Sequence, residues 1–440
     1  MDMGDLAALI PMSQKRDLGH PVIVLCGHGG VGDLMAGKGL AVRWLCGVAV
    51  VLAAQGAAAW AGEVHMNALN RDPLVKEAYA HFYDLDYAGA VGRFERFHEA
   101  HGGDPQATAM LLEAMVFQEL YREDLLDTTF YANDGFLTGK HVTEEDAKVR
   151  DRIMALSAEA IREADGRIER NANDVDALYA RGWARALTCA YVAMVERAYW
   201  RGFRLATGAK DDHERVLQLD PNYVDAKLVV GVYQYVVGAL PFAFKLLIGF
   251  AGVTGSKAKG LADLTDDGNR GSMTSVEART TITLFLRREG RYKEAIEVVK
   301  KLKAEYPRDY LFWLEEANLR KDAGEGMGAV EAYREIIAAN AKAGYFASAR
   351  MELTYFGLGE ALWGQRHYSE AAQAYEQAAW TAGVGRELKV RTLLGAGMCH
   401  DANGERELAV KDYEAAIDAG PTTTRADVAR RRLREPYRGS

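Results

Sequence analysis

The sequence predicts an all-α protein. Proline is sparse: the 440 residues contain nine, and none lies between Pro105 and Pro221. Alanine, leucine, glutamate, arginine and lysine, which favour helices, are abundant. No convincing series of alternating apolar and polar residues, the pattern typical of strands, follows Glu63. The C-terminal half repeats a pattern of small and aromatic residues, which indicates several similar helix pairs.

The N-terminal segment contains PVIVLCGHGGVGD, in which Gly27, Gly29 and Gly32 satisfy the G-x-G-x-x-G pattern of dinucleotide-binding loops. A dinucleotide site also needs an acidic residue about 20 positions further on, which binds the ribose. No Asp or Glu occurs between Asp33 and Glu63. We therefore interpret the glycine cluster as a chance match.

The next residues have the three parts of an export signal. Lys38 and Arg43 are basic, an apolar run begins at Trp44, and Ala59-Trp60-Ala61 is a small-x-small cleavage site. We expect translation to start at Met35, cleavage after Ala61, and export to the periplasm or cell envelope. The alternative is an uncleaved membrane anchor, for which the run is short and weakly hydrophobic.

The composition limits the possible partners. The formal net charge is −8, and an acidic balance argues against a protein that binds nucleic acid or anionic membranes. Cys189 and Cys399 are the only cysteines after the predicted cleavage site. Two such distant thiols do not make a disulfide framework, and whether they pair stays open.

Four segments of the C-terminal half share one pattern. Each has a small anchor residue, with an aromatic four residues later in three cases and a small residue twelve positions earlier in three cases. The anchors are Ala295, Ala329, Ala371 and Ala409, the aromatics are Tyr333, Tyr375 and Tyr413, and the earlier small residues are Ala317, Gly359 and Gly397. Two facing small residues let two helix axes approach closely, and the aromatic fills the gap between neighbouring units.

This pattern resembles the tetratricopeptide repeat (TPR), whose period is 34 residues. The resemblance implies a right-handed superhelical solenoid of antiparallel helix pairs. We expect TPR-like repeats in 276–424, degenerate repeats in 62–237, and a capping helix and tail in 425–440. Residues 1–61 are the extension and signal peptide.

Residues 238–275 separate the two groups of repeats. The stretch 238–255, GALPFAFKLLIGFAGVTG, is the most apolar after the signal, and SKAKGLADLTDDGNRGSMTS follows it and resembles a polar loop. We expect the apolar stretch to be a helical segment buried in the superhelix. Contact with lipid or a membrane partner is the alternative.

No motif indicates a catalytic site, and we expect no metal and no cofactor. His98 and His101 are spaced as a metal pair, but no third ligand is visible, so we expect them to end a helix. His400-Asp401 has the same interpretation.

The sequence therefore predicts an exported scaffold, not an enzyme, that binds an unknown protein or peptide. The resemblance implies that the first helix of each pair lines a concave binding face. Its candidate residues are Asn318, Lys321, Glu360, Trp363, Arg391 and Asp401. One alternative is a structural component of an envelope complex that contacts membrane or lipid through 238–255, and another is an enzyme built on a repeat scaffold.

Overall fold

A computed structural model describes residues 63–132, 146–240 and 254–438. Val64–Ser440 form one compact unit. The predicted signal peptide and the glycine cluster lie outside the described residues, as does most of the apolar stretch 238–255. The described residues form seventeen α-helices and three short 3-10 helices, with no strand among them. The prediction of an all-α fold is confirmed.

Eight helices make up the N-terminal half. They are α1 (Pro73–Tyr83), α2 (Tyr87–Ala100), α3 (Pro105–Arg122), α4 (Ala147–Arg170), α5 (Val175–Met194), α6 (Tyr199–Leu219), α7 (Lys227–Ala239) and α8 (Lys257–Arg270). The 3-10 helices are Ala68–Arg71, Thr128–Tyr131 and Val224–Ala226.

Nine helices follow in the C-terminal half. They are α9 (Ser275–Arg288), α10 (Tyr292–Glu305), α11 (Tyr310–Asp322), α12 (Gly326–Asn340), α13 (Met351–Gly364), α14 (Tyr368–Trp380), α15 (Arg386–Ala402), α16 (Arg406–Ala419) and α17 (Thr424–Arg434). Three-residue loops join the helices of each pair, α9/α10, α11/α12, α13/α14 and α15/α16. Loops this short require the paired helices to be antiparallel.

The loops within the pairs contain the residues that a tight reversal needs. Gly290, Gly324 and Gly404 have φ angles of 70°, 78° and 81°, a region that glycine enters without steric cost. Arg366 occupies the corresponding loop of the α13/α14 pair with a φ of 62°. These residues end each first helix and reverse the chain into the second.

Glycine and tyrosine together set the spacing of the repeats. A Cβ atom at Gly359 would lie 2.7 Å from the Tyr375 ring, and one at Gly395 would lie 3.0 Å from it. The Tyr375 ring therefore fills the space between the first helix of its own pair and that of the next pair. Tyr333 similarly lies against Gly357, at 2.5 Å from a Cβ there. The aromatic position fills the gap between units, as the repeat pattern predicts.

The N-terminal helices pack against the repeats across long sequence separations. In α3, 14 of 18 residues are buried, so this helix is an interior element. The Tyr83 hydroxyl at the end of α1 donates to Glu277 of α9 at 2.9 Å. The Tyr121 hydroxyl near the end of α3 donates to the Ser348 carbonyl at 3.2 Å. Helices α1 and α3 are thus hydrogen-bonded to the C-terminal repeats.

The interpretation of SKAKGLADLTDDGNRGSMTS as a polar loop is wrong, because most of it forms α8. The Ser256 side chain accepts a hydrogen bond from the Lys259 amide and caps the helix. Gly260 of α8 then packs closely against α7, since a Cβ there would lie 2.6 Å from the Gly231 carbonyl oxygen. The helix is stabilised by this close approach, and its exposed face accounts for the polar sequence.

Within the described ranges, no helix is both long and apolar enough to cross a membrane. Cys189 and Cys399 are free thiols. Burial raises the pKa of the Cys189 thiol to about 11, which disfavours the thiolate that disulfide formation requires.

Replacing Gly359 by alanine should destabilise the protein by about 1–3 kcal/mol, because the new methyl group overpacks the Tyr375 ring. Gly364 is the matched control. It ends the same helix, and a Cβ there would meet no atom of the described residues within 4 Å. Gly364→Ala should be neutral or stabilising by up to about 1 kcal/mol. Urea unfolding followed by circular dichroism measures both changes, and equal effects would contradict the assigned glycine–tyrosine packing.

Candidate functional site

The first helices of the four C-terminal pairs, α9, α11, α13 and α15, carry a row of polar and aromatic side chains. We call α9, α11, α13 and α15 the A helices, and we define the A-helix face as Arg287, Glu315, Lys321, Glu360, Trp363 and Arg391. These side chains lie on successive A helices, which pack side by side in the row of helix pairs.

One end of the A-helix face holds a segment of the same chain, residues 124–131. Arg287 donates to the Thr128 hydroxyl at 2.7 Å and to Glu315 at 3.1 Å. Thr128 also donates to Glu315, and the Arg288 guanidinium donates to the Tyr131 carbonyl at 2.7 Å. Side chains of α9 and α11 thus bind both the backbone and a side chain of this segment.

The beginning of the segment is bound by Arg350, which directly precedes α13. Its guanidinium makes an ion pair with Asp124, at 2.5 Å between Nη1 and Oδ1. The same group donates to the Tyr121 carbonyl at 3.3 Å. Burial raises the pKa of Asp124 to about 6 although Arg350 opposes the shift. A guanidinium that binds a carboxylate and a carbonyl together is well suited to fixing a polypeptide segment.

The middle of the A-helix face is a chain of three charges. Glu360 of α13 accepts from Lys321 of α11 at 3.0 Å and from Arg391 of α15 at 2.6 Å. The Arg391 guanidinium also lies 4.2 Å from the centroid of the Phe356 ring. Side-chain exposure rises from 22% at Lys321 to 45% at Arg391. The charge nearest the C-terminal end is therefore the most accessible to a partner.

The C-terminal tail lies beside these charges. The Tyr437 ring packs against the Trp363 indole, with centroids 5.4 Å apart. The Tyr437 amide donates to Asp401 at 2.8 Å, and the Arg432 guanidinium lies 5.1 Å from the Tyr437 ring. The A helices therefore contact chain segments at both ends of the face.

Four of the six candidate residues, Lys321, Glu360, Trp363 and Arg391, belong to the A-helix face as sequence analysis placed them on first helices. Asn318 and Asp401 are in the protein interior. The Asn318 side chain accepts a hydrogen bond from Tyr333 at 2.5 Å. The Asp401 carboxylate is 1% exposed and accepts from Arg406 at 2.9 Å. Each residue joins the two helices of its own pair, and neither is accessible to a large ligand.

Sequence reasoning missed several residues of this surface. The four residues carry no repeat signature, because each takes part in a contact between the repeats and a segment outside them: Arg287, Glu315, Arg350 and Tyr437. Glu315 lies in LFWLEEANL, a run of apolar residues. A buried acid in such a run was the available signal, since buried carboxylates require partners. Burial raises the pKa of Glu315 to about 7 even though Arg287 is its neighbour.

The two histidine motifs that the sequence places at helix ends, His98/His101 and His400-Asp401, differ in their surroundings. His101 ends α2, and its Nδ1 lies 3.0 Å from the Phe97 carbonyl oxygen, as expected for a helix end. His400 lies in the last turn of α15, and its Nε2 lies 3.2 Å from Glu376 and 3.6 Å from Asp412. Among the described residues, only Glu376, His400 and Asp412 form a group of three potential metal ligands.

A cavity of about 200 Å³ lies between the N-terminal helices and the repeats. Phe82, Phe117 and Phe312 are among its apolar lining residues, and Glu277 and Asp309 are among its acidic ones. Burial raises the pKa of Glu277 to about 7 and that of Asp309 to about 8. The interface between the N-terminal helices and the repeats therefore contains carboxyl groups that favour the neutral form.

No protein-family model matches the chain, and no curated protein is similar to it in sequence. The solved structures that are similar in fold include the following three. PilF of Pseudomonas aeruginosa is 15% identical, with a TM-score of 0.35 over 56% of this chain and 98% of PilF. A tetratricopeptide repeat protein of Parabacteroides merdae is 14% identical, with a TM-score of 0.32 over 73% and 97%. Yeast Tom70 is 11% identical, with a TM-score of 0.36 over 82% and 90%.

The buried carboxyl groups predict a pH dependence of stability. Burial raises the pKa of Glu113 in α3 to about 8, and the neighbouring Glu277 adds to the shift. A raised carboxyl pKa gives stability that is fully present below the unfolded value and is lost as pH rises through the folded value. We expect the melting temperature to fall as pH rises from about 5 to about 8, where the unfolded chain has lost these protons and the folded protein still retains them.

Glu113→Gln should reduce this pH dependence, because an amide keeps an acceptor for the Tyr79 hydroxyl, which donates to Glu113 at 2.8 Å. The free energy of unfolding should depend less on pH by up to about 1.4 kcal/mol per unit. The exposed Glu99 on α2 provides a control, Glu99→Gln. Denaturant unfolding at pH 5.5, 6.5 and 7.5 measures the slopes, and identical slopes in wild type and Glu113→Gln would contradict the assignment.

Proposed function

We propose that the protein is an exported scaffold that binds an extended segment of another protein on the A-helix face. One observation carries the proposal: this face already binds two segments of its own chain. Residues 124–131 contact α9 and α11, and Tyr437 contacts α13. The A helices therefore hold polypeptide at two separate places, as a 3-10 turn at Thr128–Tyr131 and as irregular chain at Tyr437.

Glu360, Trp363 and Arg391 define the kind of partner. Glu360 offers an acceptor and Arg391 a donor, and Trp363, which the Tyr437 ring contacts, offers an aromatic surface on the same helix as Glu360. Extended peptides are recognised by polar contacts combined with pockets for alternate side chains. A segment with an aromatic residue next to an acidic residue would place its ring on Trp363 and its carboxylate on Arg391.

The tail indicates how such a segment would bind. Tyr437 places a ring on Trp363 and donates its backbone amide to Asp401. A partner segment would replace Tyr437 at this position, with its own aromatic ring in contact with Trp363. Aromatic side chains bury large areas at little cost in conformational entropy, which is why they are common at the centres of binding sites.

The location of the partner follows from the export signal predicted for residues 35–61. A scaffold in the periplasm or cell envelope would meet its partners there. The proposed activity is binding, and it requires no catalytic residue, metal or cofactor. The aromatic and charged residues of the face support this proposal independently of the predicted location.

Panning a random displayed-peptide library on the compact unit, residues 64–440, tests the binding proposal. We expect enriched peptides to contain an aromatic residue close to an acidic one. Trp363→Ala and Arg391→Glu should each weaken their binding at least tenfold, measured by fluorescence anisotropy. The effect of Arg391→Glu should be larger at low salt than at high salt, because the charge of the exposed Arg391 is screened at high ionic strength.

Lys411→Glu is the control for charge reversal, because Lys411 is exposed on α16, outside the A-helix face. This variant should bind the enriched peptides as wild type does. Circular dichroism should show unchanged helicity in all variants. Peptides that bind Trp363→Ala and Arg391→Glu as tightly as wild type, or a library that yields no enriched sequence, would contradict the proposed site.

The mature N-terminus should be Gly62, because the basic residues, the apolar run and the Ala59-Trp60-Ala61 site occur in the order that signal peptidase requires. N-terminal sequencing of the native protein measures this directly. Recovery of a chain that retains residues 44–61 in the membrane fraction would support the anchor instead and would contradict cleavage.

A further inference from the structure

Three consecutive helices near the C-terminus bring together one imidazole and two carboxylates. Glu376 belongs to α14, His400 to α15 and Asp412 to α16. His400 Nε2 lies 3.2 Å from Glu376 Oε1 and 3.6 Å from Asp412 Oδ2. One ligand atom from each of the three residues lies within 4.8 Å of the other two. The group is outside the A-helix face, and the proposed binding of peptides does not use it.

These distances suit a four-coordinate metal ion. In a tetrahedral site with ligand bonds of about 2.1 Å, the ligand atoms are about 3.4 Å apart. The two measured separations from His400 Nε2 lie on either side of that value. Three protein ligands also leave the fourth position open to water or to an external ligand, as in sites that are accessible from solvent.

The Oδ2 atom of Asp412 provides independent support for a ligand. Within the described part of the chain, this buried atom has no hydrogen-bond partner. His400 Nε2 lies 3.6 Å from it, which is beyond hydrogen-bond distance. A buried carboxylate oxygen without a partner is costly, and buried charges normally have a counter-charge or bind a metal.

Glu405 gives His400 the orientation that a metal ligand needs. Nδ1 of His400 lies 2.7 Å from Glu405 Oε2. If Nδ1 carries the proton and donates it to Glu405, the lone pair of Nε2 points toward Glu376 and Asp412. Histidine ligands in metalloproteins commonly donate their second ring nitrogen to a carboxylate in this way, which fixes the tautomer and the ring plane.

The local charge also favours a cation. Glu376, Glu405 and Asp412 surround one imidazole, and no lysine or arginine makes an ion pair with these three carboxylates in the part of the chain that the structure describes. The Glu376 side chain is 39% exposed, so an ion can enter from solvent on that side. His400 and Asp412 are mostly buried and would hold it from within.

We propose that Glu376, His400 and Asp412 bind a divalent transition-metal ion, with Glu405 as the positioning residue of His400. The imidazole ligand favours ions such as Zn²⁺ over Mg²⁺ and Ca²⁺, which prefer oxygen ligands. The bound ion would join α14, α15 and α16, the last helices before the capping helix α17. It would therefore stabilise the end of the solenoid that carries Arg391.

Isothermal titration of the full chain with Zn²⁺, after treatment with a chelator and dialysis, tests the proposal. Wild type should bind one more Zn²⁺ ion than His400→Gln, or bind it at least about tenfold more tightly. Asp412→Asn should show a similar loss with little change in side-chain shape. Glu405→Gln should weaken binding by about 10–100-fold, as expected for a positioning residue.

Glu414→Gln is the matched control, because Glu414 is an exposed carboxylate on the same helix as Asp412. This variant should bind Zn²⁺ as wild type does, and Mg²⁺ should not compete at equal concentration. Co²⁺ should give the intense visible absorption of a four-coordinate site in wild type and in Glu414→Gln, and lose it in Asp412→Asn.

Zn²⁺ should also raise the melting temperature of wild type and of Glu414→Gln, and it should not raise that of Asp412→Asn. This measurement keeps the test valid if His400→Gln fails to fold. Absence of Zn²⁺ binding by wild type would overturn the proposal. Binding of equal stoichiometry and affinity in Asp412→Asn and His400→Gln, or equal affinity for Mg²⁺, would overturn it as well.

Discussion

The rings of Tyr333 and Tyr375 lie in spaces that glycines on the A helices leave open. Tyr375 contacts the backbone of α13 at Gly359 and that of α15 at Gly395. A side chain at either glycine would collide with the ring, so the spacing of neighbouring pairs depends on both residue types together. The A-helix face follows from this constraint, because Glu360 reaches Lys321 and Arg391 only when three A helices keep this spacing.

The ion pairs of Glu360 determine what a partner must supply. Glu360 satisfies part of the hydrogen-bonding capacity of both cations before any ligand binds. A ligand carboxylate at Arg391 must therefore compete with Glu360 or add to it, and the gain from charge alone is small at a half-exposed site. The Trp363 indole contributes apolar area, which a partner can cover by displacing the Tyr437 ring. Affinity should therefore depend mainly on Trp363, and selectivity on the charges.

The local features of the fold could be predicted from the sequence, and the long-range ones could not. The anchor alanines, the tyrosines and the loop glycines act within one pair or between neighbours, so their spacing is visible as a repeat. The contact between Tyr83 and Glu277 joins residues 194 positions apart, and no local pattern indicates it. The helix α8 was also missed, because its stability depends on the contact between Gly260 and Gly231.

In the candidate site, too, the sequence predicts the local features and misses the long-range ones. Helical periodicity places Lys321, Glu360, Trp363 and Arg391 on one face, but it cannot show which side chains a neighbouring helix covers. Asn318 is covered by Tyr333 from the second helix of its own pair, and Asp401 by Arg406 and Tyr437. The group of Glu376, His400 and Asp412 has spacings of 24 and 12 residues. Such ligands lie together only because three helices pack side by side.

The two ends of the A-helix face differ in how firmly they hold their own segments. Residues 124–131 are bound through Arg287, Arg288 and Arg350 and join the N-terminal helices to the repeats, so their release would disrupt the fold. Tyr437 follows the end of α17 by three residues and contacts Trp363 through a ring and Asp401 through one amide. A tethered segment has an effective concentration on the order of millimolar. A free partner must therefore bind Trp363 more tightly than the tethered Tyr437 does. The tail is the more weakly held of the two segments, so a partner can replace it without unfolding the solenoid.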